Sequence, residues 1–222
     1  MGFFLRVFSL YRERSGFFIQ LFIEHLYLTA AAVAIITVIG LTCGLLITRN
    51  RTAAKIVLSA VNFLYTIPTI ALFGFLVSFT GIGSTSAVIA LTAYGLIPVI
   101  RNTYVGITEV DPMIVEAAAG MGSTDRQLLF QVQFPIALPV ILAGFRTMVV
   151  MTIALGGIAS FIGAGGLGVA IWRGITTNFA EMTVAGSILV AGMAIAADLI
   201  LERVERFIRK TVLGTAQTGG ER

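Results

Sequence analysis

The sequence predicts an all-α, polytopic membrane protein with five transmembrane helices, and three observations carry that prediction. Of its 222 residues, 57% are hydrophobic and only 12% are charged, with a mean hydropathy of +0.97. Soluble domains carry about 25% charged residues, so this chain has too few polar groups to cover a globule in water. Apolar runs recur at the length a helix needs to cross a bilayer, roughly 20 residues. The charges, net +4, cluster between and after those runs rather than on one face. That pattern reads as topology, not as a nucleic-acid surface.

Each element follows in order. "MGFFLRVFSLYRERSGFF" has an apolar run broken by Arg6 and no small-residue cleavage site behind it. It predicts a short helix lying in the outer interface rather than a signal peptide, so residues 1–23 read as an N-terminal tail. The spans are then 26–47, 56–79, 86–100, 138–162 and 182–201. The third is short, preceded by Gly81 and Gly83 and followed by Arg101. Arg146 interrupts the fourth, and Asp198 sits near the end of the fifth. Residues 24–205 read as the membrane domain and 206–222 as a C-terminal tail.

Five spans place the termini on opposite sides. If segments 48–55, 101–137 and 202–222 face the cytoplasm, that side carries Arg49, Arg51, Lys55, Arg101, Arg126, Arg203, Arg206, Arg209, Lys210 and Arg222. The other side carries Arg6, Arg12, Arg14 and Arg173. The basic excess predicts an outer N-terminus and a cytoplasmic C-terminus.

Several chemistries are excluded. Cys43 and His25 each stand alone, which rules out an internal disulfide, a Cys/His zinc site and a His-activated nucleophile. Both are read as packing or interfacial residues. "FIGAGGLGVAIW" contains Gly163-x-Gly165-x-x-Gly168, the spacing of a dinucleotide-binding loop. No strand precedes it, and it follows a span on the predicted outer side. Gly163, Gly165, Gly166 and Gly168 instead predict a re-entrant or tightly turned backbone packed on its neighbours.

Nor can this chain hydrolyse ATP by itself. Its two lysines are Lys55 and Lys210, and no glycine loop precedes the Lys210-Thr211 pair. Asp198 is the only carboxylate within a predicted span, which leaves an ion-coupled transporter as the weaker alternative. Energy is then expected from another subunit, through the long polar segment at about 104–135.

That segment contains "VDPMIVEAAAGMGSTDRQLLFQVQFPIALP". Asp111 is placed to cap a helix, with Pro112 at its first position. Ile114, Ala117 and Ala118 give it an apolar face, and Gly120 or Gly122 ends it. Thr124-x-x-Gln127 is a capping-box pattern. It opens a second helix with an apolar stripe at Leu128, Leu129 and Val132, which Pro135 stops. A loop resting on the bilayer is the plain alternative, but a polar helix–turn–helix between spans points to partner docking.

Glu116-Ala117-Ala118, three residues, Gly122, nine residues, then Val132-x-Phe134-Pro135 resembles the EAA loop of bacterial ABC importer permeases. Val132 and Phe134 stand where that family usually has Ile and Leu. "TIPTIALFGFL", "GIGSTSAVIALTAYGLIPVIRNTYVGI", "VDPMIVEAAAGMG" and "FIGAGGLGVAIWRGI" extend the resemblance over about residues 24–205. They are most similar to permeases for the osmoprotectants glycine betaine, carnitine and choline. Methionine importer permeases share the loop and the glycine stretch. The resemblance implies the ABC type I importer transmembrane fold in a bacterial plasma membrane. It also implies a second permease chain, identical or a sister, two cytoplasmic ATPases that bind ATP and Mg, and an external substrate-binding protein. The chain itself would then bind no cofactor or metal and be no enzyme.

Two expectations concern the spans. Pro68, in "NFLYTIPTI", predicts a kinked second span with Asn62, Tyr65 and Thr66 lining the pathway. Tyr65 there offers its π face to a quaternary ammonium. Arg146 and Asp198 both fall in the cytoplasmic halves of adjacent spans and predict an ion pair, with snorkelling of Arg146 as the alternative.

Overall fold

The computed structural model describes residues 2–218, with side chains through residue 210. Helix α1 (Phe3–Glu13) turns at Arg14 into α2 (Ser15–Ile47). The second span is α3 (Arg51–Thr66) followed by α4 (Thr69–Thr80), and the third is α5 (Ser84–Thr108). The polar loop holds α6 (Pro112–Gly120) and the single turn α7 (Asp125–Gln127). α8 (Phe134–Ala159), α9 (Gly168–Thr176) and α10 (Ala180–Thr218) complete the chain. Four continuous helical stretches are long and apolar enough to cross a membrane, and α3 with α4 forms a broken fifth.

Local chemistry sets these boundaries and moves several from where the sequence placed them. The expected kink at Pro68 is a full break, with α3 and α4 meeting at 98°. A proline pushes its predecessor out of the α region, and Ile67 is extended at φ −75°, ψ 126°. The carbonyl of Ile67, lost to the helix ladder, accepts the hydroxyl of buried Tyr94 on α5. That contact satisfies a backbone group that an apolar setting would otherwise leave unpaired.

Nor does Pro135 stop a helix. The backbone widens into a π turn at Leu128–Gln133, the Phe134 amide donates to Leu129, and α8 continues with Pro135 in its first turn. The wide turn relieves the clash of the proline ring with the preceding turn. The first span begins at Ser15, so the boundary expected at 23/24 falls inside α2. The third runs past Ile100 to Thr108, which places Arg101 inside a helix rather than in a loop.

α5 is the hub on which α2, α3, α4 and α8 pack. Gly40 and Gly44 on α2 face α5, where added Cβ atoms would lie 2.8 Å from Val99 and 2.6 Å from Thr103. On α8, a Cβ at Gly144 would lie 2.5 Å from Asn102. Small residues bring helices this close where no hydrophobic drive exists between them. Ile36, Leu91, Tyr94 and Met148 fill the shared core. α10 packs on α8 and α9. α1 crosses α10 through an Arg6–Glu181 ion pair at 2.6 Å and a Tyr11 hydroxyl that donates to the Ala185 carbonyl.

Candidate functional site

One end of the bundle carries the polar loop. Asp111 accepts the Met113 amide at 2.8 Å and caps α6, with Pro112 at the helix start. The exit is a two-bond Schellman turn. Gly122 donates to Ala119 and Ser123 to Ala118, and Gly122 has φ +89°. A Cβ on Gly122 would meet nothing within 4 Å. Its positive φ, not crowding, is what calls for glycine here. Thr124 and Gln127 then close a reciprocal capping box.

The two halves of the Glu-Ala-Ala pattern have different surroundings. Glu116 and Ala117 are exposed, and Ala118 alone of α6 is buried. Ile114, expected on an apolar packing face, is 44% exposed, beside Met113 at 77% and Met121 at 82%. An apolar surface left open on a nine-residue capped helix is the mark of an interaction site. Neither methionine drew notice in the sequence, although both flank the motif. Val132, Phe134 and Pro135 are half-buried where the loop re-enters α8. Phe134 packs with Ile107, Leu129, Ala137 and Ile141. The first half therefore presents a surface and the second anchors it to the transmembrane helices.

A cavity of about 570 Å³ opens between α3, α5 and α8. Asn62 and Tyr65 line it as expected residues, joined by Pro98, Arg101, Asn102, Val105, Glu109, Thr147 and Met151. Thr66 and Pro68 are exposed at the break but are not part of that lining, and the Thr66 hydroxyl donates to Phe63 of its own helix. Tyr65 and Tyr94 meet edge to face at 6.3 Å. Arg101, Asn102 and Val105 lie beyond Ile100, where hydropathy alone ends the third span. Their spacing of three and four residues from Pro98 to Glu109 sets them on one helix face.

Arg146 meets Asp198 through two parallel bonds, Nε to Oδ1 at 2.5 Å and Nη2 to Oδ2 at 2.7 Å. Glu202 and Glu205 stand at 3.5 Å and 3.7 Å from the same guanidinium, and Arg206 pairs with Glu202. One turn of α8 is thus fastened to two turns of α10.

At the opposite end, Gly163, Gly165 and Gly166 have φ of +77°, +78° and +79°. The Gly166 amide donates to Glu24 at 3.1 Å. Beneath it His25 is fully buried, with Nε2 3.0 Å from the Ile153 carbonyl. At Gly168 a Cβ would sit 1.9 Å from the Gly157 carbonyl oxygen.

A family model described as "Binding-protein-dependent transport system inner membrane component" matches residues 36–210. The chain is 40% identical over 198 residues to an osmoprotectant import permease protein of Salmonella typhimurium, covering 87% of this chain and 92% of that one. It is 38% identical over 197 residues to a Bacillus subtilis permease of a glycine betaine/carnitine/choline transport system, covering 88% and 86%. Among solved structures, the inward-facing MetNI methionine ABC transporter superposes with a TM-score of 0.76 at 24% identity, over 86% of this chain and 95% of that one. That likeness bears on the fold alone. The matched span, the full-length relatives and the helix order agree: the chain belongs to the binding-protein-dependent transport system inner membrane component family, as a multi-pass ABC importer permease with the type I transmembrane fold.

Proposed function

We infer that this permease imports quaternary-amine osmoprotectants such as glycine betaine, carnitine and choline, driven by ATP hydrolysis in a separate subunit. The observation that carries the reading is the exposed, capped helix α6, connected through Phe134 and Pro135 to the span that lines the cavity. A movement imposed on α6 by an ATPase passes to α8 through the π turn on which α6 packs. Two such ATPases hold the ATP and Mg. A second permease chain completes the pathway, and an external binding protein supplies the substrate. The N-terminus lies outside, and the loop and C-terminus lie in the cytoplasm, as the basic residues favour. The substrate class follows from the names of the relatives.

Reconstituting the permease with its ATPase and binding protein in proteoliposomes tests this. ATP-dependent uptake of a labelled quaternary amine, absent without either partner, is the expected result. Uptake driven by an ion gradient through the permease alone would overturn it.

A further inference from the structure

Arg101 lies inside α5 and Arg146 inside α8, and the two differ in one respect. Arg146 is surrounded by Asp198, Glu202 and Glu205. Arg101 has no carboxylate within 4.0 Å among the described residues. It stands seven residues before the end of α5, about 10 Å inside the helix end at 1.5 Å per residue. A charge so placed is costly unless water or a partner meets it, and Arg101 lines the cavity. The wall beside it is polar, with Asn62 on α3, Asn102 on α5 and Thr147 on α8. The carboxylate that shares the cavity, Glu109, is eight residues further along, about 12 Å down the axis. The cavity therefore offers a planar, fork-shaped cation with no protein carboxylate paired to it, in the same lining as Tyr65.

We propose that Arg101 receives the carboxylate of the transported zwitterion, while the quaternary ammonium rests against the ring of Tyr65. This rests on the quaternary-amine function inferred above. A guanidinium fork matches a carboxylate through two parallel bonds, and an aromatic face attracts a cation that cannot donate hydrogen bonds. The pair reads both ends of glycine betaine or carnitine. Choline lacks the carboxylate and gains nothing from Arg101.

The test compares wild type, Arg101→Gln and Arg101→Lys in proteoliposomes with ATPase and binding protein. Uptake of glycine betaine, carnitine and choline is measured together with ATP hydrolysis. In Arg101→Gln, the amount of glycine betaine or carnitine moved per ATP should fall about tenfold or more, the loss of one charge-assisted contact. Hydrolysis stimulated by loaded binding protein should persist, and any choline uptake should be unchanged. Arg101→Lys, with the charge but not the fork, should fall between. Equal uptake per ATP in all three proteins would overturn the assignment. So would loss of complex assembly in Arg101→Gln, which would mark Arg101 as a structural ion partner of the second permease chain. If wild type moved none of the three amines, the functional reading itself would fall and this one with it. If wild type moved them and the variants did not discriminate, only the role of Arg101 would fall.

Discussion

Two glycine turns, at 163–168 and 120–122, are built for opposite reasons. The turn at 163–168 is enclosed. Glu24 holds its backbone, His25 fills the space below, and Gly168 touches the Gly157 carbonyl so closely that no side chain fits. The turn at 120–122 is open, and Gly122 has only its backbone angle to satisfy, with empty space around it. One residue type thus serves packing at one end and a protruding surface at the other. Substitutions should separate accordingly. Changes at the enclosed turn should cost the fold, and changes at the open turn should cost coupling.

The largest effect is predicted at Gly168→Ala. Its Cβ would lie 1.9 Å from the Gly157 oxygen and 2.5 Å from Ser160 Oγ, and the first of these is backbone that cannot rotate away. Overpacking of this kind costs about 1–3 kcal/mol and occasionally more; backbone against backbone belongs at the upper end. Thermal unfolding in detergent should show a clearly lowered Tm and reduced yield. An unchanged Tm would mean that α9 can shift outward, and the contrast between the turns would fail.

Gly122→Leu comes next, and its effect should be on function. A left-handed conformation costs an ordinary residue about 1–2 kcal/mol, paid locally in an exposed turn. The protein should stay folded in the membrane but lose ATPase binding, or lose the response of hydrolysis to loaded binding protein. Gly122→Asn, which tolerates positive φ, should retain most coupling. Glu116→Lys should weaken ATPase association without changing Tm, because Glu116 is exposed. If Gly122→Leu and Glu116→Lys together left ATPase binding and uptake at wild-type levels, α6 would not be the coupling element.

Much of this contrast was legible in the sequence, and the rest was hidden for physical reasons. Asp111, Thr124 and Gln127 announced the loop helix starts because capping is local chemistry. Hydropathy found all five spans but misjudged their ends, since a run of apolar residues does not say where helical hydrogen bonding stops. Arg101 looked like a terminator and proved interior to α5. Pro68 and Pro135 show the limit best. Both are prolines near helical segments, yet one breaks the chain by 98° and the other is carried inside a continuous helix. The difference lies in the π turn before Pro135 and in Tyr94, which answers the Ile67 carbonyl. Neither is local enough to read from a proline's immediate neighbours. The cavity was half visible for the same reason. Asn62 and Tyr65 precede a conspicuous Pro68, whereas Asn102 and Thr147 join them only through tertiary packing.

The smallest effect is predicted for the tie between α8 and α10, which Arg146 makes midway along α8 rather than in the half nearer the polar loop, where the sequence placed it. The Arg146–Asp198 pair joins two spans, and polar contacts between membrane helices couple by about 0.6 kcal/mol and at most about 1.7, so its coupling should be about 1 kcal/mol. The two single substitutions should nevertheless differ. Asp198→Ala leaves the guanidinium beside Glu202 and Glu205, at 3.5 Å and 3.7 Å, and either can close in. Arg146→Ala leaves three carboxylates on adjacent turns of α10 with Arg206 bound to one of them. It should therefore lower Tm more than Asp198→Ala. The double variant should be less damaged than the sum of the two, because removing Asp198 relieves repulsion that Arg146→Ala creates. Strict additivity in thermal unfolding would mean that Arg146 draws its stability from headgroups or water rather than from α10.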